Sequence, residues 1–590
     1  MNQIYDKWEL IIIDDGSTDN TDEFIVDYFS DNRITYIKNK HNQGLGVALN
    51  EGIEMAKYDY IAYLPADDYY YENHLAEIYE KFIACEDVFL VYTGVAYNRN
   101  DTFSKENDTQ TKFLRKKYPL QLVQIAHKKS SERWLERKEY VTSNLFSMYW
   151  YKLLDKGFFV STGIISCYWT SHPYQRHKII NDKSGSGGLN IYKNYYKVKE
   201  FVRIQISDYK FVDENKIYEN LNLQTVYSKK SLKILLVGEL SYNPERIFAL
   251  EEAGHKLYGL WIDDPIYSFA NIGPFPFGNI ETIEHDNNWM NKIQDIKPDI
   301  IYALGNWDSI ELAHEVLIAD LKIPFVWHFK EGPLFCIKRG LWKKLYELYY
   351  YSDGKIFINE IIKNWYEQFS PTFEKYLILD LDPPKKNYFN SNFEEKISAK
   401  DGAIHTVNVG RIIGLDENDI KAIADHNIHI HLYSENTHEM KENINNIYMK
   451  YAPDHFHVHN HVSINDWTKE FSKYDAGWLH IFKSENEKSL SKMSWDDLNI
   501  PARIYTLAVA GIPMIQWDNS NHLVAMHDFV KKLNVGVFYT DVNELKNELY
   551  DKNKMAILAQ NIIREREKFT FDYHVPRLIN FFYEIIKAKK

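Results

Sequence analysis

The chain of 590 residues has a formal net charge of −13 and a pI near 6.0. This charge argues against nucleic acid as the main partner, because proteins bind polyanions through an excess of Lys and Arg. The length predicts about three or four compact lobes. No apolar run approaches the ~20 residues that cross a bilayer, and the first residues do not form a signal peptide.

The three cysteines, Cys85, Cys167 and Cys336, are widely spaced and form no CxxC pair. This spacing favours reduced thiols over a disulfide framework or a zinc site. We therefore expect a cytoplasmic protein.

The amino-terminal part predicts a strand, an acidic turn, a glycine loop and a helix. Residues 8–13 are apolar and rich in β-branched side chains. Asp14 and Asp15 follow at the carboxyl end of this strand, where open α/β sheets place ligands. The loop 42–46, with the sequence NQGLG, opens a helical run over 47–56.

A second strand and acidic turn repeat the first pair. Residues 58–64 predict the strand, and Asp67 and Asp68 follow it. Carboxylates at two strand ends suit a divalent ion that would neutralise a leaving diphosphate. The alternative is two ordinary turns, since Asp, Gly and Ser are common turn formers. Their placement around a glycine loop favours the binding site.

The runs ELIIIDDGSTDNT, NQGLGVALNEGIEMA and LPADD resemble the GT-A glycosyltransferases of the large inverting family typified by bacterial polysaccharide synthesis enzymes. The resemblance implies a GT-A Rossmann-like domain over 1–205. It implies that Asp14 and Asp15 bind the nucleotide-sugar, with Asp15 on a uridine-type base. It also implies that Asp67 and Asp68 hold Mg²⁺ or Mn²⁺.

Two features depart from this family's pattern. Pro65 replaces the first aspartate of the metal motif. Only residues 1–7 precede WELIIIDD, where the family has a further strand and helix, so we expect the first strand and helix to be missing. A parallel sheet buried on both faces does not readily lose an interior strand. Either the chain as given is a truncated reading of a longer one, or this lobe is damaged.

Residues 139–150 resemble the acceptor helix of the same family, which usually begins with a Glu-Asp pair whose Asp is the catalytic base. Ser143 and Asn144 stand at that place, and an amide cannot take a proton from an acceptor hydroxyl. Glu139 is the nearest upstream carboxylate and is our candidate base. Its alternative is an ordinary acid in the first turn of a helix.

The segment 171–178 resembles the loop that closes over the donor in this family. The resemblance assigns His177 to the metal and Arg176 to the diphosphate. The alternative for both residues is an ordinary polar surface.

A second half begins after the Gly/Ser run 184–188 and a polar linker, 206–230. From there, apolar strands alternate with helical segments, and Pro244 opens the first helix. We predict two further doubly wound lobes, at 231–400 and 401–590. The predicted fold class is α/β: a GT-A domain followed by twin Rossmann-like lobes.

The strand ending in Gly-Arg at 411 and the run PARIYTLAVAGIP at 501–513 resemble the retaining GT-B glycosyltransferases. The resemblance implies that Arg411 and Arg503 grip the donor diphosphate, together with the helix start at Asn499. It implies no metal cofactor for this half.

Two of this family's residues are missing. No Lys follows Gly-Arg closely, and the usual Glu is represented at best by Asp496 or Asp497. His328, at the end of a predicted strand, stands where such enzymes often place a residue near the acceptor. A lone His at a strand end is more often structural.

Several histidines alternate along the second half. In an extended segment they would share one face, and clustered imidazoles can bind a transition metal. No carboxylate or Cys joins them at ligand spacing, so we favour a structural role. They are His429, His431, His455, His457, His459 and His461.

We therefore predict a glycosyltransferase that moves sugars from UDP- or GDP-sugar donors to a glycan or lipid-linked acceptor. The expected process is surface polysaccharide or glycoconjugate synthesis, in the cytoplasm or at the inner face of the membrane. In one alternative, the GT-A half only binds acceptor or partner. In another, the chain is a sugar nucleotidyltransferase, but the Gly-rich basic loop of such enzymes is not visible.

Overall fold

The computed structural model describes residues 2–97, 103–104, 110–111, 120–136, 141–142, 145–182, 189–198, 204–205, 230–239, 242, 244–262, 280–303, 305–372, 375–433, 448–459, 462 and 464–589. Two compact units divide the chain. Unit 1 is Met1–Asn215 with Tyr267–Asn279, and unit 2 is Lys216–Ile266 with Ile280–Lys590. The linker predicted at 206–230 lies outside the described residues except for Lys230. The domain boundaries given above stay predictions.

Unit 1 contains short helices and both parallel and antiparallel strands. In chain order they are β1 (Leu10–Asp14), α1 (Thr21–Ile25), β2 (Ile34–Lys38), α2 (Leu45–Met55), β3 (Tyr60–Ala62), β4 (Tyr69–Tyr70), α3 (His74–Ala84), β5 (Val88–Tyr97), β6 (Phe103–Ser104), β7 (Gln110–Thr111), β8 (Ile125–Lys128), β9 (Val141–Thr142), α4 (Leu145–Leu153), β10 (Phe158–Trp169), α5 (Arg176–Ile180), α6 (Leu189–Tyr195) and β11 (Ile204–Gln205).

The strands of unit 1 form separate sheets. β1 and β2 pair in parallel as a two-stranded sheet, and β9 pairs with β11 in another. The mixed seven-stranded sheet has the order β3-β8-β5-β10-β4, with β6 on β5 and β7 on β10. Among the described strands, none joins β1 or β2 to the mixed sheet. The two predicted acidic turns therefore follow strands of different sheets.

The first lobe of unit 2 alternates strands and helices, as its apolar runs predicted. Its elements are β12 (Lys233–Gly238), α7 (Pro244–Glu252), β13 (Lys256–Trp261), β14 (Glu281–Ile283), α8 (Trp289–Ile296), β15 (Ile300–Ala303), α9 (Ile310–Ile318), β16 (Phe325–Phe329), α10 (Pro333–Lys338), α11 (Trp342–Tyr351), β17 (Gly354–Phe357), α12 (Glu360–Glu367) and β18 (Tyr376–Ile378).

The second lobe repeats this alternation and ends in three consecutive helices. Its elements are α13 (Ser398–Asp401), β19 (Ile404–Val409), α14 (Glu417–Asp425), β20 (Ile428–Tyr433), β21 (Phe456–His459), α15 (Trp467–Phe471), β22 (Ala476–Trp478), α16 (Trp495–Leu498), α17 (Arg503–Ala510), β23 (Met514–Trp517), α18 (Ala525–Leu533), β24 (Gly536–Tyr539), α19 (Val542–Tyr550), α20 (Lys552–Glu565) and α21 (Phe571–Lys589).

Each lobe of unit 2 is built on one parallel, doubly wound sheet. The strand orders are β14-β13-β12-β15-β16-β17-β18 and β21-β20-β19-β22-β23-β24. All residues of β15 and β16 are buried, as expected for parallel strands covered on both faces. The predicted α/β class with Rossmann-like sheets is confirmed. In such sheets ligands bind at the carboxyl ends of the strands.

The last helix, α21, ties the end of the chain to the first lobe of unit 2. The Lys385 side chain is 1% exposed and donates to Glu252 of α7 and to Asp572 of α21. Farther along α21, Phe582 packs edge-on against Tyr302 of β15, with ring centroids 5.3 Å apart. Because the side chains of Lys385 and Phe582 are both buried, α21 belongs to the packing of the first lobe.

The contacts of the Lys385 ammonium predict that its removal lowers the stability of the fold. Lys385→Met should lower the free energy of unfolding by about 3–5 kcal/mol, because two largely buried carboxylates lose a fully buried cation. Urea unfolding followed by tryptophan fluorescence would measure this change. The control is Lys375→Met. Both side chains of its ion pair with Glu584 are more than half exposed (53% and 56%), so this substitution should change the free energy of unfolding by less than about 1 kcal/mol. Equal effects of the two substitutions would contradict the assignment.

Candidate functional site

The first acidic turn of unit 1 is held by its own hydrogen bonds. Asp14, at the end of β1, accepts from the Ser17 amide (2.7 Å) and the Tyr36 hydroxyl (2.6 Å). Burial opposes its ionisation, but the hydrogen bonds from Tyr36 and Ser17 lower the pKa of Asp14 below its ordinary value. Asp14 therefore stabilises the turn.

Asp15 joins the acidic turn to the glycine loop. Its carboxylate accepts from the amides of Gln43 (2.8 Å) and Gly44 (2.7 Å) and from the Asn39 side chain (3.1 Å). The turn and the loop, which the sequence placed together only by pattern, are thus in direct contact. A Cβ at Gly46 would lie 1.7 Å from the Leu135 carbonyl oxygen, so α2 starts where only glycine fits.

The second acidic turn lies beside an imidazole that the sequence analysis missed. Oδ2 of Asp67 is 2.9 Å from Nε2 of His172. Asp68 accepts from the Thr170 amide (2.8 Å), and burial raises the pKa of Asp68 to about 7. His172 stands in the segment predicted to close over the donor, five residues before the predicted ligand His177.

The other residues predicted for this site lie on helix α5 or outside the described residues. His177 and Arg176 lie in the first turn of α5, and the His177 ring is 6.2 Å from that of Trp169. The predicted base Glu139 lies outside the described residues, as do Ser143 and Asn144.

The second acidic turn fits a divalent ion in its chemistry. The Asp67 carboxylate is 37% exposed, and hard oxygen donors suit Mg²⁺ or Mn²⁺, which keep several waters or substrate oxygens. Across the described ranges, no three His, Cys, Asp or Glu side chains converge as a complete metal site. Asp67 and Asp68 would therefore hold such an ion only together with other oxygens.

Unit 2 concentrates cations at the carboxyl ends of β19 and β22. Arg503, the first residue of α17, donates through Nη1 to Asn408 Oδ1 (2.9 Å) and through Nη2 to the Arg411 carbonyl. The predicted residues Arg411 and Arg503 are thereby brought together. Asn408, which orients the guanidinium, was not predicted, although it lies on the strand that the sequence identified.

The loop that carries Arg411 is fixed by a close backbone approach. Gly414 has φ +80°, and a Cβ there would lie 1.5 Å from the Ile481 carbonyl oxygen. The Ile481 amide donates to the Ile413 carbonyl (3.1 Å). Only glycine can hold the loop after β19 this close to the loop after β22.

The electrostatics of this region indicate an anion site. Burial, and then Arg411, lower the pKa of Arg503 to about 10. Burial followed by the two arginines lowers the pKa of His480, after β22, to about 3. Oδ1 of Asp496 lies 3.9 Å from Nδ1 of His480. An anionic ligand would relieve the repulsion between the arginines.

The segment before Arg503 is held by the first lobe. Asn359 Nδ2 donates to the Leu498 carbonyl (2.8 Å), and Lys330 Nζ donates to the Ile500 carbonyl (2.8 Å). Lys330 and Asn359 follow β16 and β17, so the strand ends of the first sheet meet the segment that leads into α17. The predicted ligand Asn499 lies within this segment, as the C-cap of α16.

His328 occupies the interior of the first sheet. It is fully buried in β16 between the Tyr302 hydroxyl (2.6 Å) and the Leu379 carbonyl (2.8 Å). Burial, and then Arg246, hold its pKa well below the ordinary value. A neutral imidazole enclosed in this way packs the sheet, so we do not retain His328 as a catalytic candidate.

Glu331 is a candidate acid or base that the sequence analysis did not consider. It follows β16 at the edge that carries Lys330, and its Oε1 accepts from the Tyr242 hydroxyl (3.4 Å). Burial raises the pKa of Glu331. Lys330 and the hydrogen bonds from Tyr242 and Trp495 lower it, but the effect of burial is larger. Trp495 belongs to α16, next to Asp496. The sequence contained no pattern that singled out this carboxylate.

Comparison with known proteins gives a family match for the first part of the chain. Residues 1–158 match the family described as glycosyl transferase family 2. An uncharacterized glycosyltransferase of Rickettsia bellii is 36% identical over 105 residues, which is 18% of this chain and 15% of that protein. Poly-beta-1,6-N-acetyl-D-glucosamine synthase of Staphylococcus aureus strain COL is 46% identical over 63 residues, 11% of this chain and 15% of the synthase. The match thus spans a small part of either relative.

Two solved structures show distant likeness. Sucrose-phosphate synthase from Thermosynechococcus elongatus covers 60% of this chain and 100% of its own, with 11% identity and a TM-score of 0.43. Anabaena HepE in complex with UDP-glucose covers 60% and 99%, with 13% identity and a TM-score of 0.39. Scores this low support no inference about this chain.

Among the described helices, none is long and apolar enough to cross a membrane.

The anion site predicts the effect of one substitution on binding. Arg503→Ala should weaken the binding of UDP in EDTA about ten- to a hundredfold, because a charge-assisted hydrogen bond contributes about 1.5–3 kcal/mol. Isothermal titration calorimetry on the full chain would measure it. Arg564→Ala, whose side chain is 65% exposed and paired with Glu565, should leave the affinity unchanged. Unchanged affinity in Arg503→Ala would remove this residue from the site.

Proposed function

We propose that the chain is a glycosyltransferase with a nucleotide-sugar donor, and that transfer takes place in unit 2. The observation that carries the proposal is the pairing of Arg411 and Arg503 at the carboxyl ends of a doubly wound sheet, with His480 held neutral beside them. This is the place and the charge that a donor diphosphate requires. The glycosyl transferase family 2 domain at 1–158 supports the same class of reaction.

In this proposal each residue of unit 2 has a distinct role. Arg503 and Arg411 bind the donor diphosphate and stabilise the charge that develops as it leaves. The first amides of α17, which begins at Arg503, add favourable dipoles. Glu331 exchanges a proton with the acceptor hydroxyl, for which its raised pKa is suited. We expect no metal in this unit, so the arginines alone neutralise the leaving group.

For unit 1 we propose nucleotide-sugar binding with a divalent ion. Asp15 and the glycine loop would receive the nucleotide, and Asp67 and Asp68 would hold Mg²⁺ or Mn²⁺, which neutralises diphosphate charge when bound. Asp14 keeps the turn in shape rather than contacting the ligand, because its oxygens already accept from Ser17 and Tyr36.

A second candidate function for unit 1 is binding without catalysis. Among the described strands, β1 and β2 stand apart from the sheet that precedes Asp67 and Asp68. A site divided between two sheets is less firmly preorganised than one at the edge of a single sheet. This favours a unit 1 that binds donor, acceptor glycan or a partner while unit 2 transfers the sugar.

The finer assignments follow the sequence analysis. We propose a UDP- or GDP-sugar donor and a glycan or lipid-linked acceptor in polysaccharide or glycoconjugate synthesis. We propose action in the cytoplasm, with contact at the inner face of the membrane, in keeping with the separate thiols of Cys85, Cys167 and Cys336.

The division of labour predicts opposite effects of two substitutions. Arg503→Ala in the full chain should slow the release of nucleoside diphosphate from UDP- or GDP-sugars about a hundredfold, through lost transition-state stabilisation. Asp67→Asn should leave this release nearly unchanged. Asp31→Asn, which removes only a contact with Arg33, serves as the control in unit 1. If Asp67→Asn stops transfer and Arg503→Ala spares it, unit 1 is the enzyme.

The proposed role of Glu331 predicts how the rate of transfer depends on pH. A general base works when deprotonated, so the rate should fall as the pH drops through the raised pKa of Glu331. Glu331→Gln should reduce kcat about 10²–10⁴-fold and abolish this acidic limb. The matched control is Glu311→Gln, an exposed partner of Lys344. An acidic limb that survives in Glu331→Gln would assign the proton transfer to another group.

A further inference from the structure

One face of the second sheet of unit 2 carries a cluster of imidazoles. The opposite face of the same strands is aliphatic and includes Ile404, Ile430 and Leu432. Strand alternation puts every second residue on the imidazole face. We call these side chains the histidine array: His405 of β19, His429 and His431 of β20, and His455, His457 and His459 at β21. His461 lies outside the described residues.

Residues directly opposite each other on neighbouring strands stack their rings. His405 pairs in register with His429, and His431 with His457. Both ring pairs have centroids 4.4 Å apart, and His429 stacks on His455 at 4.5 Å. These distances follow from the spacing of ~4.8 Å between strands.

Residues on the diagonal are joined by hydrogen bonds instead. His405 Nδ1 is 2.9 Å from His431 Nε2, and His431 Nδ1 is 2.8 Å from His459 Nε2. At the other end, His405 Nε2 is 2.9 Å from Asp401 Oδ2. A carboxylate and three imidazoles thus form one continuous chain of hydrogen bonds across three strands.

This chain permits only one set of tautomers at neutral pH. The Asp401 carboxylate can only accept, so His405 donates from Nε2 and accepts at Nδ1. His431 must then donate from Nε2 to His405, and His459 from Nε2 to His431. With every imidazole neutral, this set of donors completes the chain, and among the described residues no hydrogen-bond partner meets Nδ1 of His459, where the chain ends. A parallel bond joins His429 Nδ1 to His457 Nε2 at 3.0 Å.

The surroundings of the array can balance little added charge. Tyr433 stacks on His459 at 4.5 Å and hydrogen-bonds Tyr474 at 2.7 Å. Among the residues that the structure describes, the charged groups packed against the array and its neighbours are three carboxylates and two ammonium groups, which sum to one negative charge: Asp401, Glu470 and Asp475, with Lys396 and Lys473.

We propose that the histidine array is a proton-responsive element that closes the edge of this sheet at neutral pH and releases strand β21 on acidification. One proton can enter at Nδ1 of His459. Each N–H···N proton then shifts across its bond, and the positive charge rests on His405 beside Asp401. A second proton meets an imidazolium in the same chain, and the remaining carboxylates, Glu470 and Asp475, are already matched by Lys473 and Lys396. Repulsion then acts on β21, the outermost strand.

The pKa values agree with this geometry. Burial, and then the neighbouring histidines, lower the pKa of His431 to about 2 and that of His429 to about 4. Burial and then Lys473 lower the pKa of His459 to about 4. Since an ordinary histidine has a pKa near 6.5, the opened state binds protons first. The stability of the edge is therefore complete above about pH 6.5 and is lost as the pH falls below it.

The ring nitrogens face each other in pairs, and in the part of the chain that the structure describes they do not converge in threes around a common point. This distinguishes the array from a metal site.

Hydrogen exchange measured by mass spectrometry on the full chain tests the proposal. Each imidazole that must stay neutral in the closed state should favour opening about tenfold at about pH 5.5 relative to about pH 7.5. After correction for intrinsic exchange, the β20 and β21 peptides should open at least tenfold more often at the lower pH. The β23 and β24 peptides of the same sheet are the internal reference and should not change.

Two variants distinguish opening caused by the histidine array from opening that acid causes by other means. His457→Gln, at the half-exposed edge, and His431→Phe, which keeps a stacked ring, should each flatten the pH dependence of β21. His426→Gln is the control, because His426 caps α14 and contacts Asn543 outside the array. The proposal is overturned if β21 opens no more than β23 at the lower pH, or if both array variants keep the full pH dependence.

Discussion

The buried ammonium of Lys330 is the constraint on which unit 2 depends. It lies at the end of β16, pairs with Asp380 (2.6 Å) and Asp382 (2.9 Å), and donates to the Ile500 carbonyl. Burial opposes its charge, but the two carboxylates raise the pKa of Lys330 overall. A charge so enclosed must keep its partners, so the two lobes meet at this point. The segment leading into Arg503 is thereby fixed against the first sheet.

From this junction the proposed chemistry follows. Tyr505 of α17 donates to Asp380 at 2.8 Å, so the helix that begins with Arg503 is anchored by the same carboxylates. Arg503 in turn fixes the Arg411 loop through its carbonyl. Arg411 repels the buried guanidinium of Arg503, which costs energy until an anion binds. β19 carries Asn408 at this site and His405 in the histidine array, so one strand connects the two.

The sequence predicted local features well and long-range contacts poorly. Helix α7 begins at Pro244, as predicted, and the proposed cationic role of Arg411 and Arg503 rested on patterns at strand and helix ends. The contacts of Lys330 and Asn359 span 170 and 139 residues, and no periodicity reveals them. His172 and His480 were missed because a single imidazole has no local signature.

Two predictions show what position along a strand cannot tell. His328 was chosen for its place at a strand end, yet the alternation of a fully buried strand does not tell which face meets a ligand. The alternating histidines were expected to lack a carboxylate, but Asp401 reaches His405 from the preceding helix. Spacing along a strand does not show what a neighbouring helix contributes.

The most direct measurement of the central claim is the hydrogen-exchange footprint of UDP on the full chain in EDTA. The account predicts protection in peptides covering the ends of β19 and β22 and the start of α17. Protection confined to the peptides around the two acidic turns of unit 1, or no protection between 280 and 589, would contradict it.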